Sequence, residues 1–268
     1  MKLTCIAGTM LALTMALGLA ACGGSSTASS GQAAVPSENG SALTTVTSGK
    51  LTMTTNAAFP PYEMTTDKGE FEGIDVEIAG AIADKLGLEL QIDDMDFDAA
   101  LLAAQSGKSD IVMAGVSVTD DRLAVMDFSD TYATGIQSVI VPEGSDIVSI
   151  DDLEGKMIGT QRGTTGYIYC TDDYGESNVT AYDNGLTAVQ ALLNGQVDCV
   201  VIDNAPAKEF VATNASLHIL DTSYTEEEYA IGTAKGNTAL VDAINTALDE
   251  LKADGTIQTI VDKYITAD

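Results

Sequence analysis

Apolar residues follow two spacings in the chain after residue 45, one typical of helices and one typical of buried strands. Over residues 75–86 they recur every three or four positions, and Gly87 follows as a helix stop. A second helix is predicted to end at Gln105, with Asp98 as its N-cap. Short apolar runs predict strands at 50–54, 88–92 and 110–114. This alternation predicts an α/β fold with mixed, largely parallel central sheets.

One pattern occurs twice in the sequence. Residues 103–115 and 191–203 both contain the end of a helix, a glycine, two further residues, an aspartate and an apolar strand. Convergence on a common unit is one explanation, and two similar lobes that share the unit is the explanation we favour. Ligands of open α/β sheets bind beyond the C-terminal ends of the strands. We therefore expect Gly115 and Asp203, which end the two strands, to meet across one cleft.

The C-terminal part of the chain predicts a return to the first lobe. Apolar stripes between 241 and 251 and between 257 and 264 each predict a helix, separated by an Asp-Gly break. The links between the lobes are expected near 136–141 and 228–233, which makes a two-segment hinge. The predicted first lobe comprises 46–136 plus 232–268, and the second lobe comprises 137–231.

The first 45 residues carry a different pattern. Residues 6–21 are uncharged and mostly apolar, but shorter than the ~20 apolar residues that a membrane helix needs, so 1–21 is predicted to be a signal peptide. Its end, Leu-Ala-Ala-Cys, resembles a bacterial lipobox, with cleavage before Cys22 and palmitate or a similar lipid attached there. Ordinary secretion with a free N-terminal cysteine is the alternative. The Ser-, Gly- and Thr-rich segment 22–45 is predicted to be a flexible linker to the extracytoplasmic face of the membrane.

Composition narrows the classes of partner. The chain has 40 acidic and 12 basic residues and a net charge of −28, which argues against a nucleic-acid partner. It has one histidine, His218, and no metal-ligand spacing, so we expect neither a metal nor a cofactor. If Cys22 is acylated, Cys170 and Cys199 could form a disulfide or remain as two buried thiols.

The chain has only two arginines, Arg122 and Arg162. Arg122 lies in the first turn of a helix that Thr119 is expected to cap, where the helix dipole disfavours a positive charge. An anion to hold would explain this placement, because a guanidinium can bind a carboxylate through two parallel hydrogen bonds. The alternative is a surface arginine that pairs with Asp120 or Asp121.

Further candidate chemistry lies near other predicted strand ends. Residues 159–166 put glycines and small hydroxyl residues at a helix start, which suits either an anion site or an ordinary turn. Asp203 ends an apolar strand and needs a positive partner, either a ligand ammonium or Lys208. Phe59, in a proline-rich loop, and Phe97 either belong to the core or form the walls of a pocket.

These segments resemble the amino-acid-specific solute-binding proteins of bacterial ABC importers, which have the type II periplasmic-binding fold. The resemblance extends from about residue 48 to 266 and depends on the order and spacing of several motifs. These motifs are FPPYE (59–63), GIDVEI (73–78), GVSVTDDR (115–122), MDFSD (126–130), LEGK (153–156), DCVVID (198–203) and YAIG (229–232).

The resemblance implies how the two charged groups of an amino acid would be held. Arg122 would bind the α-carboxylate, helped by the backbone N–H groups of Ser117 and Thr165. Asp203 would bind the α-ammonium, together with the carbonyl of Gly115 and the hydroxyl of Ser117. This division agrees with an anion partner from one lobe and a cation partner from the other.

The resemblance also implies how the rest of the ligand would lie. Phe59 and Phe97 would sandwich it, and Asn56, Gln161 and Ile202 would face its side chain. Many relatives that bind basic amino acids have an acid at the position of Asn56. The expected ligand is therefore a polar or neutral amino acid such as glutamine or cystine.

The implied protein is a monomeric, non-enzymatic binding protein that delivers a free amino acid to the permease subunits of an ABC importer. One alternative is an enzyme on the same fold, a dehydratase of the cyclohexadienyl or arogenate type. That enzyme would need a catalytic acid, for which Glu63 and Glu143 are the candidates. A further alternative is a ligand-sensing head for a separate membrane receptor.

Overall fold

Two central β-sheets, each flanked by helices, make up most of the chain that the structure describes, residues 43–265. The structure is a computed structural model. The predicted signal peptide, Cys22 and the linker up to residue 42 lie outside the described residues. Within 43–265, every helix is too short or too polar to cross a membrane.

The first lobe is built on a five-stranded sheet. Its strands lie in the spatial order β5 (Glu89–Asp94), β1 (Lys50–Thr55), β6 (Ile111–Val112), β14 (Gly232–Ala234) and β7 (Met126–Phe128). β5 and β6 run parallel to β1, whereas β14 runs antiparallel to β6 and β7. The three strands predicted in this lobe are present, with ends that differ by one or two residues. A separate small sheet contains β2 (Ala58–Phe59), β3 (Glu63–Thr65) and β4 (Phe71–Glu72).

The second lobe is built on a six-stranded sheet. Its main order is β10 (Val179–Tyr182), β9 (Ile158–Gln161), β11 (Cys199–Asp203), β8 (Ala133–Pro142) and β12 (Leu217–Ile219), and β13 (Thr225–Tyr229) also pairs with β8. β9 runs parallel to β10 and β11, and β8 runs antiparallel to its three partners. The predicted α/β class with two lobes and mixed sheets is therefore confirmed.

The helices fill the faces of the two sheets. They are α1 (Ile74–Leu86), α2 (Phe97–Gln105), α3 (Asp120–Val125), α4 (Thr165–Tyr174), α5 (Gly185–Leu193), α6 (Asn204–Ala212), α7 (Thr238–Ala253) and α8 (Thr256–Tyr264). α1 buries Ile74, Ile78 and Ile82 and ends at Gly87, whose left-handed backbone (φ 68°) closes the last turn as predicted. α7 and α8 pack against α1, in keeping with the predicted return of the chain to the first lobe.

The predicted N-cap of α2 is wrong by two residues. The helix begins at Phe97 and its N-cap is Asp96, whereas Asp98 lies within the first turn. The Asp98 carboxylate accepts a hydrogen bond from the backbone N–H of Ala99, 2.9 Å away. Neighbouring acidic residues at 96 and 98 are both acceptable caps by type, and the apolar packing of Phe97 decides where the first turn begins.

The repeated sequence pattern forms the same local structure in both lobes. Asp110 precedes β6, donates its N–H to the carbonyl of Thr52 and accepts the Thr52 N–H on its carboxylate, at 3.1 and 2.8 Å. Asp198 precedes β11 and makes the same pair of bonds to Met157, both at 2.7 Å. In each lobe the aspartate thus links the start of one strand to the neighbouring parallel strand through two hydrogen bonds.

Two antiparallel strands lead into and out of the second lobe. The chain enters along β8, and residues Ala133–Gln137 of this strand pair with β13, along which the chain returns. Of the expected links, 136–141 lies within β8, and 228–233 spans the end of β13 and the start of β14. The lobe boundaries at 136 and 232 remain a prediction.

Cys170 and Cys199 are both free and buried in the apolar cluster of the second lobe. Burial raises the pKa of both thiols, so they behave as small apolar side chains. Of the two alternatives that the sequence left open, the structure shows buried thiols.

Candidate functional site

A narrow cleft lies between the two lobes. It brings together residues that are far apart in the sequence and come from β2, β3, α2, α3, β9, α4 and β11 and from the segments that follow β1 and β6. Gly115 and Asp203 both border it, as the repeated pattern predicted. The residues predicted from the sequence that line this cleft are Asn56, Phe59, Phe97, Gly115, Ser117, Arg122, Gln161, Thr165 and Asp203.

Ile202 does not line the cleft. Its side chain is buried in the apolar core of the second lobe, where a Cβ added at Gly185 would lie 2.4 Å from its Cδ1 atom. Side chains alternate between the two faces of a strand, so Ile202 and the neighbouring Asp203 cannot both point into the same space. The predicted side-chain contact of Ile202 is therefore wrong.

Arg122 is buried on the first-lobe side of the cleft. Thr119 caps α3 as predicted, since its hydroxyl accepts the Arg122 N–H at 3.2 Å. The guanidinium donates to the carbonyl of Ser117 at 2.8 Å and lies 5.5 Å from the centre of the Phe97 ring. With 8% of its surface exposed, Arg122 is not the surface residue of the alternative interpretation.

The same guanidinium reaches across the cleft. Its Nη2 atom donates to the carbonyl of Gly163, in the loop between β9 and α4, at 3.1 Å. A second bond across the cleft joins Nε2 of Gln161 to Oδ1 of Asn56 at 2.9 Å. The two lobes therefore approach each other closely at two places in the cleft.

Asp203 lies at the end of β11, on the second-lobe side. Its carboxylate accepts hydrogen bonds from Nε2 of Gln137, at 2.8 Å, and from the hydroxyl of Tyr229. Burial raises the pKa of Asp203 to about 6, and the hydrogen bond from Tyr229 opposes this rise. The two donors come from β8 and β13, the strands that connect the lobes.

Sequence reasoning missed a second carboxylate near this end of the cleft. Glu227 Oε2 accepts from Ser117 Oγ, Gln137 Nε2 and Thr165 Oγ1 at 3.1, 3.0 and 2.8 Å. Its other oxygen accepts from the hydroxyl of Tyr169 at 2.9 Å. A signal was present in the sequence: in a strand that ends on a buried tyrosine, the middle glutamate of 226–228 falls on the buried face.

Glu63 also lines the cleft and is fully buried on β3. Neither of its carboxylate oxygens meets a nitrogen or hydroxyl donor in the described structure, and the carboxyl is hydrogen-bonded to that of Asp75 instead. Burial raises the pKa of Glu63 well above its usual value, and the neighbouring Asp75 raises it further. Glu143, the other acid considered for an enzyme, has a side chain 62% exposed and lies beside His218, outside this cleft.

Asp75 is the structural neighbour of Glu63. One of its oxygens accepts from the backbone N–H of Gly115, at 3.0 Å, and from the hydroxyl of Tyr132, at 2.8 Å. Burial raises the pKa of Asp75 to about 6, and hydrogen bonds from Gly115, Tyr132 and the Glu63 carboxyl oppose this rise. Asp75 therefore fixes the backbone at Gly115, where a Cβ would lie 2.9 Å from the Phe59 ring and the backbone is left-handed (φ 56°).

Residues 51–267 match the bacterial extracellular solute-binding proteins, family 3. The chain belongs to this family. Its relatives are named as amino-acid-binding proteins, some of them of ABC transporters, which confirms the resemblance inferred from the motifs. The family describes extracellular proteins, in agreement with an extracytoplasmic location.

Individual family members resemble the chain over most of its length. A probable histidine-binding protein of Neisseria gonorrhoeae is 34% identical over 256 residues, 93% of this chain and 91% of the relative. The L-cystine-binding protein TcyJ of Escherichia coli (strain K12) is 31% identical over 224 residues, 82% of this chain and 84% of the relative. The structure of an ancestral arginine-binding protein bound to arginine has a TM-score of 0.76 and 40% identity, and the match covers 81% of this chain and 98% of that one.

The names of these family members also decide between the classes of function. They are named as binding proteins and not as enzymes, so the expectation of a non-enzymatic binding protein is confirmed.

Proposed function

We propose that this protein captures a free α-amino acid in the cleft between its lobes and delivers it to the permease subunits of an ABC-type importer. The proposal rests on the positions of Arg122 and Asp203. The first is a buried cation and the second a buried carboxylate, and they line one cleft from opposite lobes. A zwitterionic amino acid offers the complementary pair of charges. Burial strengthens both attractions because water screens them less.

Two details of the cleft support this assignment. The guanidinium of Arg122 donates hydrogen bonds to two carbonyl oxygens, those of Ser117 and Gly163. A ligand carboxylate is a stronger acceptor than either carbonyl and could replace them. Thr165 begins α4, so the N–H groups of the first turn of that helix face the same region.

The chain order supports closure of the lobes around the ligand. Gly115, Ser117 and Arg122 precede β8, whereas Thr165 and Asp203 lie between β8 and β13. A small ligand can contact both sets only when the lobes approach, so the ligand favours the closed state. We place the lobe boundaries at 136 and 232 and the hinge in the strands beside them.

The named relatives bind amino acids whose side chains differ in charge and size. This range supports an α-amino acid as the ligand and leaves the choice of side chain to residues particular to this chain. Asn56 and Gln161 favour a polar or neutral side chain by their own chemistry, because each presents an amide to the cleft.

The function is tested by a thermal-shift screen of the mature protein against each common L-amino acid. A specific ligand at a hundredfold excess over its Kd adds about 2.7 kcal/mol to the free energy of unfolding. D-amino acids serve as controls, since inversion exchanges the positions of the two charged groups. A screen in which no L-amino acid stabilises the protein would contradict the proposal.

We assign the location to a lipid on Cys22, at the extracytoplasmic face of the cell membrane. The support is the Leu-Ala-Ala-Cys sequence followed by a polar linker. Cys22→Ser is expected to move the protein from the membrane fraction to the soluble fraction and to leave the ligand Kd unchanged. A variant that stays in the membrane fraction after a salt wash would contradict the lipid anchor.

A further inference from the structure

A second cavity lies beside the two strands that connect the lobes. Its volume is about 260 Å³. The described residues that line it belong to both lobes and to the connecting strands, and they include Tyr62, Tyr264, Asn204, Ala205, Ile136 and Tyr229. Asp203 also lines it and is the residue that this cavity shares with the cleft described above. The two spaces are therefore neighbours with almost entirely different walls.

Three tyrosines line this cavity, and two of them have hydroxyl groups that are satisfied within the protein. Tyr229 donates to Asp203, and the hydroxyl of Tyr264 accepts from the backbone N–H of Gly73 at 3.1 Å. The hydroxyl of Tyr62 makes no hydrogen bond in the described structure, although only 4% of this residue is exposed. A buried hydroxyl without a partner is costly, so Tyr62 needs a polar partner within the cavity.

The ring of Tyr62 forms part of the wall between the two spaces. It stacks on Phe59, which lines the cleft, with ring centroids 6.0 Å apart. It also meets the ring of Tyr229, which lines the cavity, at 5.3 Å in an edge-to-face arrangement. Tyr62 itself is absent from the lining of the cleft. A ligand that bonds to the Tyr62 hydroxyl therefore occupies the cavity and not the cleft.

The charges around the cavity favour a cation. Lys208 and Glu209, both exposed on α6, balance each other, which leaves the carboxylate of Asp203 as the net charge of the described lining. Burial raises the pKa of Tyr62, and nearby acidic groups raise it further, so the hydroxyl stays neutral. Tyrosine rings add to this preference, because an ammonium group is attracted to the face of an aromatic ring.

We propose that this cavity is a second ligand site, for a small organic cation in which an ammonium group is attached to an aromatic or apolar body. The ammonium donates to the oxygen of the Tyr62 hydroxyl and lies near Asp203, and the body packs among the tyrosine rings and Ile136. The cavity is larger than the ~150 Å³ of an engineered cavity that holds benzene, so one substituted ring fits. Such a cation has no carboxylate and does not need Arg122.

The test uses benzylamine, which is a cation at neutral pH, and benzyl alcohol, its neutral counterpart of nearly the same shape. Calorimetry on the wild-type protein at neutral pH should give a Kd of about 1 mM or lower for benzylamine. Benzyl alcohol should bind at least about tenfold more weakly, since it lacks the charge that Asp203 attracts. Equal binding of the two compounds, or no binding of benzylamine, would overturn the amine site and leave the amino-acid function in place.

Two variants locate the site. Tyr62→Phe removes one hydroxyl and should raise the benzylamine Kd about threefold to tenfold. Ala205→Phe places a ring in the cavity from a half-buried position on α6 and should abolish binding. Tyr167→Phe, on α4 and outside both linings, is the matched control and should bind benzylamine as the wild type does. Wild-type affinity in both Tyr62→Phe and Ala205→Phe would overturn the proposal.

A variant of the cleft separates the two spaces. Asn56 lines the cleft and not the cavity, so Asn56→Ala should leave the benzylamine Kd unchanged. Weaker benzylamine binding in Asn56→Ala, together with unchanged binding in Tyr62→Phe, would place benzylamine in the cleft and overturn the proposal. A screen in which no amino acid stabilises the protein would instead overturn the function proposed above, without bearing on benzylamine.

Discussion

The two ends of the cleft differ in how completely their charges are satisfied. At the end around Arg122 and Asp203, the guanidinium donates to two carbonyls, Asp203 accepts from two side chains and Glu227 accepts from four. At the other end, the Glu63 carboxyl meets no nitrogen or hydroxyl donor and is hydrogen-bonded to the carboxyl of Asp75. The first end is thus preorganised within the protein and suits groups that every amino acid carries. The second end depends on a proton that the two acids share, and we expect discrimination between amino acids there.

The difference follows from where each end lies in the fold. The donors to Asp203 and Glu227 come mainly from β8, β13 and the start of α4, the elements that meet where the lobes join. Glu63 lies on β3 within the first lobe and its nearest charged neighbours are acids. We therefore expect changes at the first end to affect all amino acids alike, and changes at the second end to alter their ranking.

The largest expected effect comes from removing the anion partner. Arg122→Ala should weaken binding of every amino acid by several kcal/mol, on the order of a thousandfold, because a buried ligand carboxylate loses its partner. Arg162→Ala is the matched control, since Arg162 is half exposed and absent from the lining. Calorimetry with a cationic and a neutral amino acid checks both variants. If Arg122→Ala weakens the binding of only one of the two ligands, the proposed division of roles between the two ends is wrong.

A smaller and equally uniform effect is expected at Glu227. Glu227→Gln keeps the shape but places an N–H group among four donors, so at least one hydrogen bond is lost, at a cost of about 1–2 kcal/mol. Affinity should fall about tenfold for neutral and cationic amino acids alike. Glu226→Gln, at an exposed neighbour on the same strand, provides the comparison. A change in the ranking of ligands would place Glu227 at the selective end instead.

The thermal stability of the ligand-free protein should depend on pH because its buried carboxyl groups have raised pKa values. Burial raises the pKa of Glu63, and it raises the pKa of Asp75 and Asp203 to about 6. A raised carboxyl pKa contributes stability below the unfolded-state value, near 4, that is lost as the pH rises through the folded-state value. Thermal unfolding without ligand should show a decrease in Tm over that range, with a shallower slope in Glu63→Gln than in the wild type. Identical slopes would mean that folding does not raise the pKa of Glu63.

The smallest expected effect is at Asn56. Asn56→Ala removes the hydrogen bond to Gln161 across the cleft, worth about 0.5–1.5 kcal/mol. It should reorder the neutral amino acids among themselves while binding of the α-groups persists. Competition measurements with pairs of amino acids resolve such small differences. An unchanged ranking in this variant would contradict the role proposed for Asn56.

Much of this arrangement could be predicted from sequence because its signals are local or repeated. The helix stop at Gly87, the cap at Thr119 and the aspartates at 110 and 198 each depend on a few neighbouring residues. Strand alternation, applied to the segment that ends at Tyr229, could have found Glu227. The same alternation argues against Ile202 in the cleft once Asp203 is placed there.

Other features could not be predicted because they depend on distant contacts. Gln137 lies in an apolar strand without any sign that Asp203 and Glu227 converge on it. The hydrogen bond between the Glu63 and Asp75 carboxyls depends on the burial of both groups, and no short segment carries that information.

A crystal structure of the protein with the amino acid that binds best in the screen tests the central claim most directly. The account predicts the α-carboxylate within hydrogen-bond distance of the Arg122 guanidinium and the α-ammonium within hydrogen-bond distance of the Asp203 carboxylate. It further predicts the amides of Asn56 and Gln161 against the side chain of the ligand. An amino acid bound with its α-groups elsewhere, or outside the cleft between the lobes, would contradict the account.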